Sequence, residues 1–221
     1  MNAVATAKLQ NQGQGKLSTE HVCIGVLGLQ GDYQKHLEML HSIDGVNAKI
    51  VRTAQEISEW CDGLVIPGGE STTVGKLMAR YGVDTAIIER AAKGMAVFGT
   101  CTGMILLASE IEGSDQHRLG LMDTTVRRNA YGRQLDSFEA DLDVPCLGGK
   151  TVRAVFIRAP QITAVGSKVE VLATLESGEA VMIRQGNCLA ISFHPELTDD
   201  TRVHKYFVEV TREAAVGLMA R

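Results

Sequence analysis

The sequence contains no Cys-x-x-Cys pair, no apolar run long enough to cross a bilayer and no cluster of Lys and Arg, and each absence removes a class of protein. Its five cysteines, Cys23, Cys61, Cys101, Cys146 and Cys188, are an odd number scattered along the chain, which fits neither a disulfide framework nor a zinc site. A reducing cytoplasm is the simpler home for them. No stretch approaches the roughly 20 apolar residues of a membrane-spanning helix, so no membrane partner is expected. The net charge of −4 comes without a basic patch, and phosphate binding needs concentrated positive charge, so nucleic acid is not expected as a partner either. Residues 1–20 have no apolar core of the kind a secretory signal carries; acidic residues are absent before Glu20, as in a transit peptide, but arginine is absent too. They are read as a flexible tail. Residues 21–221 are read as one globular domain, because a chain of 221 residues that is 45% hydrophobic can bury one α/β core but not two typical ones.

What the sequence does contain is alternation. Val22-Cys23-Ile24-Gly25-Val26-Leu27 followed by Tyr33 to Leu40 reads as strand then amphipathic helix. Further strands are expected at Ala48 to Val51, Gly63 to Ile66 and Ala96 to Phe98, with helices near Thr72 to Ala79, Asp84 to Lys93 and Thr102 to Ser109. Repeated βα units predict an α/β fold with a mostly parallel central sheet flanked by helices. After Gly120 the texture turns to extended runs (Val152 to Ile157, Val169 to Leu175, Ala180 to Ile183, Leu189 to Phe193) and closes with a helix from about Thr201. There is no internal repeat and no linker that would separate a second domain.

Chemistry concentrates where such a sheet binds ligands, beyond the carboxyl ends of its strands. Gly99-Thr100-Cys101-Thr102-Gly103 joins an apolar strand to the helix-forming run Met104 to Ala108, which is the cysteine form of a nucleophile elbow. The two glycines fit a turn so sharp that side chains there would clash, and the sulfur would sit near the positive end of a helix, which favours a thiolate. A lone cysteine is ordinarily a packing residue, and the remaining four are read that way; the flanking glycines set Cys101 apart. A cysteine nucleophile needs a base, and the base needs an orienting group. His194 and Glu196 follow the strand-like Ala190 to Phe193 two residues apart, so period-2 geometry can place both on one face, although Pro195 intervenes. His21, His36, His41, His117 and His204 lack a comparable setting and are read as surface or partly buried residues.

Pro67-Gly68-Gly69-Glu70-Ser71-Thr72-Thr73 with Gly75-Lys76 approximates a phosphate loop, but five residues separate Gly69 from Gly75 where the motif has four, and Leu77 stands where a magnesium-binding Ser or Thr belongs. Gly68 and Gly69 can instead offer backbone N–H groups which, with the amide of Thr102, would stabilise an oxyanion; an ordinary Gly-rich turn is the competing reading. Arg127 to Gln134 is the one basic stretch, and Arg158 ends the apolar run Phe156-Ile157. Either region has an arginine that can bind a carboxylate in two-pronged fashion, or both are solvated surface.

Taken together these residues resemble the glutaminase subunits of the deoxyxylulose-5-phosphate-independent pyridoxal 5′-phosphate synthases, a family of class I (triad) glutamine amidotransferases. The resemblance runs from Val22 onward: Gly-Thr-Cys-x-Gly with His-Pro-Glu marks the broad class, while Gly-Leu-Gln-Gly-Asp, Pro-Gly-Gly-Glu-Ser-Thr-Thr, Gly-Arg-Gln-Leu-Asp-Ser-Phe-Glu and Phe-Ile-Arg-Ala-Pro mark the narrower family. It implies Cys101 as nucleophile, His194 as general base and acid, and Glu196 as the orienting carboxylate. It implies Gly68, Gly69, Glu70, Arg128, Ile157 and Arg158 in the glutamine site and the amides of Gly69 and Thr102 in the oxyanion hole. Thr102 departs from the family, which often has alanine there. The implied reaction releases ammonia and glutamate from L-glutamine with no metal or organic cofactor, and the ammonia passes to a partner, a (β/α)₈ synthase subunit, in a hetero-oligomeric complex. A glutaminase of another biosynthetic complex, such as imidazole glycerol phosphate synthase, a non-catalytic glutamine-binding regulatory subunit, and a peptidase with the same elbow are the competing functions.

Overall fold

The computed structural model describes residues 21–128 and 137–219; the tail read over residues 1–20 and the 129–136 portion of the basic stretch lie outside the described residues. In chain order the elements are β1 (Val22–Leu27), α1 (Tyr33–His41), β2 (Val46–Val51), α2 (Ala54–Trp60), β3 (Gly63–Ile66), α3 (Ser71–Tyr81), α4 (Val83–Ala92), β4 (Ala96–Thr100) and α5 (Thr102–Leu107). They continue with β5 (Ala108–Ile111), β6 (Met122–Arg127), β7 (Ser137–Leu142), β8 (Val152–Ile157), β9 (Gln161–Val165), β10 (Glu170–Thr174), β11 (Ala180–Gln185), β12 (Cys188–Ile191) and α6 (Arg202–Met219). The central sheet has seven strands in the order β10-β11-β12-β4-β3-β1-β2. Its pairs from β12 to β2 are parallel, while β10 and β11 add an antiparallel edge. The expected α/β architecture with a mostly parallel sheet is therefore present.

Side-chain alternation sends successive residues of one strand into two cores. Val22, Ile24 and Val26 of β1, Val65 of β3, Phe98 of β4 and Ile191 of β12 face the core formed with α1, α6 and the two-stranded β7-β8 ribbon. Leu64 and Ile66 of β3, Val97 of β4 and Ala190 of β12 face the core formed with α2 to α5 and the three-stranded β5-β6-β9 sheet. These strands are buried on both faces, which is why they read as unbroken apolar runs.

The structure corrects several expectations. The helix read over Thr102 to Ser109 stops at Leu107, and the chain continues as β5. Helix α2 was not expected, although its signal is present: Thr53 and Glu56 form a capping box ahead of Ile57. Cys146 is exposed, not packed. His36 and His204 are fully buried instead of lying at or near the surface, because α1 and α6 cover the sheet side by side and the two imidazoles bond each other there.

The elbow depends on small residues for a measurable reason. A Cβ on Gly103 would lie 2.1 Å from the Ile66 carbonyl oxygen, and one on Gly99 would lie 2.5 Å from the Gly103 carbonyl carbon. Gly103→Ala is expected to lower stability by about 1–3 kcal/mol or more through overpacking. Gly217→Ala in α6, where an added Cβ meets nothing within 4 Å, is expected to raise stability by roughly 0.5–1 kcal/mol. Urea unfolding midpoints of the two variants check both signs.

Candidate active site

Strands β1, β3, β4 and β12 run parallel, so their carboxyl ends open on one edge of the sheet. Cys101 leaves β4 with φ 50° and ψ −100°, a left-handed conformation that costs a non-glycine residue energy and is typical of sites held by their surroundings. What holds it is the neighbouring strand: the Cys101 N–H donates to the Ile191 carbonyl at 2.8 Å. His194 lies three residues beyond the end of β12, and its N–H donates to the Val155 carbonyl of β8 at 2.8 Å. His194 is thus tied to the strand that ends at Ile157, just ahead of Arg158.

The pairing of His194 with Glu196 does not arise from strand geometry. Residues Pro195–Leu197 form a short 3-10 turn, and the turn brings the Glu196 Oε1 to 2.7 Å from the His194 Nδ1. The Glu196 side chain is fully buried and that of His194 is 12% exposed. Burial would raise the Glu196 pKa, but His36 and His194 beside its oxygens hold it far below the usual carboxylate range. Burial would likewise lower the His194 pKa; bonding to Cys101 and Glu196 and their charges outweigh that and push it up from 6.5 to about 10. A proton on His194 near neutrality is what a thiolate–imidazolium couple requires.

The cleft in front of Cys101 has a volume of about 370 Å³, in the range of small-molecule sites, which run from about 300 to 1,000 Å³. Among the residues expected in the site, Gly69, Glu70, Cys101, Thr102, Arg128, Ile157, Arg158 and His194 line it. Glu196 sits behind His194. Gly68 lies against His194 and Cys101: a Cβ there would meet the His194 Cε1 at 2.6 Å and the Cys101 Cβ at 3.6 Å. Arg158 takes up φ 42°, and the carbonyl oxygen of Ile157 stands 4.0 Å from the Cys101 Sγ.

Glu70 caps α3, accepting from the Thr73 N–H at 2.7 Å and the Thr72 N–H at 3.1 Å. These bonds, from Thr73 first, outweigh its burial and pull its pKa down to about 2. The helix end that a phosphate would occupy therefore already holds a carboxylate, and Gly75 is buried within α3 against the His117 carbonyl. Arg128 Nη2 lies 3.4 Å from Glu70 Oε1, and its Nη1 donates to Thr72 Oγ1 at 3.1 Å and to Gln116 Oε1. A cation and an anion held side by side at the cleft wall suit the α-carboxylate and α-amino group of a free amino acid.

Three contributors were not expected from sequence. Gln30, after β1, accepts from the Glu70 N–H at 2.8 Å. Gln116 accepts from Ser71 Oγ, Thr72 Oγ1 and Arg128 Nη1. The Thr102 hydroxyl donates to the Gly69 carbonyl, so the departure from alanine adds a bond to the loop facing Cys101. The Gly69–Glu70 peptide is thereby held at both ends, its C=O by Thr102 and its N–H by Gln30.

The sequence model of the SNO glutamine amidotransferase family matches residues 26–213. The chain is 48% identical over 189 residues to the pyridoxal 5′-phosphate synthase subunit PdxT of Thermotoga petrophila, covering 86% of this chain and 99% of that protein. It is 53% identical over 186 residues to the PdxT subunit of Pelotomaculum thermopropionicum, covering 84% and 93%. Among solved structures, a glutamine amidotransferase superposes with a TM-score of 0.80 at 49% identity, covering 85% of this chain and 98% of that one. The PurLQS structure from Thermotoga maritima shares the fold at a TM-score of 0.63 and 15% identity, covering 85% and 96%.

The His194–Glu196 geometry fixes a sign for pH dependence. A folded-state pKa above the unfolded value means that the stabilisation from protonated His194 is complete below pH 6.5 and is lost as pH rises through about 10. Nitrogen-15 spectra of the histidines at about pH 8, between those limits, are expected to show His194 protonated in the wild type and neutral in Glu196→Gln. A neutral His194 in the wild type at that pH would contradict the assignment.

Proposed function

The chain belongs to the SNO glutamine amidotransferase family, and from that premise we propose that it is the glutamine-hydrolysing subunit of a pyridoxal 5′-phosphate synthase. The observation that supports this chemistry is that Cys101 and His194 line one cleft of about 370 Å³ while the His194 Nδ1 lies 2.7 Å from the Glu196 Oε1. The Cys101 thiolate attacks the side-chain amide carbon of L-glutamine, a C–S bond forms, and the carbonyl π electrons move onto oxygen. The amides of Gly69 and Thr102 receive that oxyanion. His194 gives its proton to the amide nitrogen, the C–N bond breaks and ammonia leaves. Neutral His194 then takes a proton from water, which attacks the γ-glutamyl thioester and releases glutamate. Each step uses side chains and backbone of this chain, with no metal or organic cofactor.

Glu70 and Arg128 supply the opposite charges that would bind the amino and carboxylate ends of glutamine, with Gly68, Ile157 and Arg158 completing the wall. The described residues form no such barrel themselves, and in this reading the ammonia is delivered to a separate synthase subunit, a (β/α)₈ barrel, in a hetero-oligomeric complex. Gly68 and Gly69 can change peptide orientation at small steric cost, and docking of that partner sets the oxyanion loop. No helix among the described residues is long and apolar enough to cross a membrane; the free cysteines support a cytoplasmic setting.

Ammonia and glutamate release from L-glutamine by the purified chain, with and without the synthase subunit, tests this reading. The expected outcome is release stimulated by the partner and abolished in Cys101→Ala. Strong release without the partner would keep the glutaminase and remove the docking switch. No release in either setting would leave a glutamine-binding regulatory subunit.

A further inference from the structure

Glu196 has two carboxylate oxygens, and the reaction described above uses one. Its Oε1 takes the His194 Nδ1–H; its Oε2 lies 3.3 Å from the His36 Nε2, with both side chains fully buried. That approach is too oblique for an aligned hydrogen bond, and no other described group supplies one to Oε2. His36 is thus the polar neighbour that offsets the burial of this oxygen. The same ring nitrogen lies 3.2 Å from Thr100 Oγ1, on the residue that precedes Cys101. On its other side the His36 Nδ1 lies 2.9 Å from the His204 Nε2. The edges of both imidazoles pack on Phe98.

The protons in this chain of rings can be placed by elimination. Burial pushes the His204 pKa down to about 3, so His204 is neutral and carries one N–H. Its Nδ1 is buried with no hydrogen-bond partner among the described residues. A buried N–H without a partner is rarer and costlier than a buried lone pair, which puts the His204 proton on Nε2, donated to His36 Nδ1. With Nδ1 accepting, the His36 proton lies on Nε2, where it bonds to Thr100 Oγ1 with Glu196 Oε2 3.3 Å from the same nitrogen. His204 therefore selects the His36 tautomer, and that tautomer places an N–H, bonded to Thr100, beside the carboxylate.

We propose that His36, with its tautomer set by His204, is a positioning residue for the glutaminase reaction: it holds Glu196 from behind so that the carboxylate keeps His194 oriented toward Cys101. The inference rests on reading Cys101, His194 and Glu196 as the triad. It adds two residues, one from α1 and one from α6, that touch neither substrate nor cleft.

The test uses the full chain with its synthase subunit and the variants His36→Leu, His36→Gln and His204→Phe, with Cys101→Ala as control. For His36→Leu, kcat is expected to fall roughly ten- to hundredfold, the scale set by a slightly misplaced catalytic group, with KM for glutamine unchanged because the cleft lining is intact. The pH midpoint of His194, read from its nitrogen-15 signals, is expected to move down as Glu196 loosens. His36→Gln, whose amide can present an N–H at a similar reach, is expected to restore most of both, and His204→Phe to give an intermediate loss. A folded His36→Leu with wild-type kcat and His194 midpoint would overturn the proposal. Equal losses in the Leu and Gln variants, tracking a lowered melting temperature with the His194 midpoint unmoved, would also overturn it and make the pair a packing feature. Undiminished ammonia release by Cys101→Ala would instead sink the triad itself, whatever the His36 variants do.

Discussion

A carboxylate with no solvent exposure is the constraint around which this molecule is arranged. A buried charge is tolerable only when its oxygens meet protons or cations, and Glu196 draws these from distant parts of the chain: His194 beyond β12 and His36 on α1, itself bonded to His204 on α6. The helices that supply the inner pair are the two that cover one face of the sheet. Docking α1 and α6 therefore packs a core and completes the site in one step. Burial alone would lower the His194 pKa; it is raised because His194 bonds to Cys101 and to this carboxylate, whose charge acts strongly in a dry setting.

The second constraint is steric. Cys101 sits at φ 50°, a conformation worth of order 1–3 kcal/mol of strain in a non-glycine residue. It persists because both sides of the turn are fixed: β4 is flanked by β3 and β12, and α5 packs so tightly that Gly103 meets the Ile66 backbone. The elbow and the close packing are one feature. Relieving the strain would mean pulling α5 off the sheet and losing the contacts of Met104, Ile105 and Leu106.

This explains what could be read from the sequence. The elbow was legible because glycine spacing and strand-to-helix periodicity are local signals, and so were β1, β3, β4 and their helices. Glu196 could be paired with His194 from proximity in the chain, though the reason was a 3-10 turn after Pro195, not strand alternation. His36 and His204 were not legible: their partners lie 168 residues apart, and nothing local in Lys35-His36-Leu37 or Val203-His204-Lys205 distinguishes a buried relay from a solvated helix face. Gln30 and Gln116 were missed for the same reason, since a neutral amide shows its role only when the groups it bonds are in view. Helix α2 was missed for a different one. Its capping box stands in the sequence, but seven residues give too short a run for the helical period to assert itself.

The two halves of the site are also joined mechanically. The loop from β1 to α1 lies backbone against backbone on the oxyanion loop: a Cβ on Gly31 would fall 1.8 Å from the Gly68 carbonyl oxygen, while Gln30 holds the Glu70 N–H. The helix that follows this loop carries His36 to Glu196 and packs against the Pro195–Leu197 turn. One short stretch, from Gln30 to His36, thus touches the Gly68-Gly69 loop and the Glu196 carboxylate that pairs with His194. Close-packed interiors transmit displacement instead of absorbing it, so a shift of this stretch cannot alter one half of the site alone. Thr102 opposes such a shift by fixing the Gly69 carbonyl from the start of α5. The Cys101 turn, the Gly68-Gly69 loop and the Gln30 to His36 stretch are therefore linked by direct contacts.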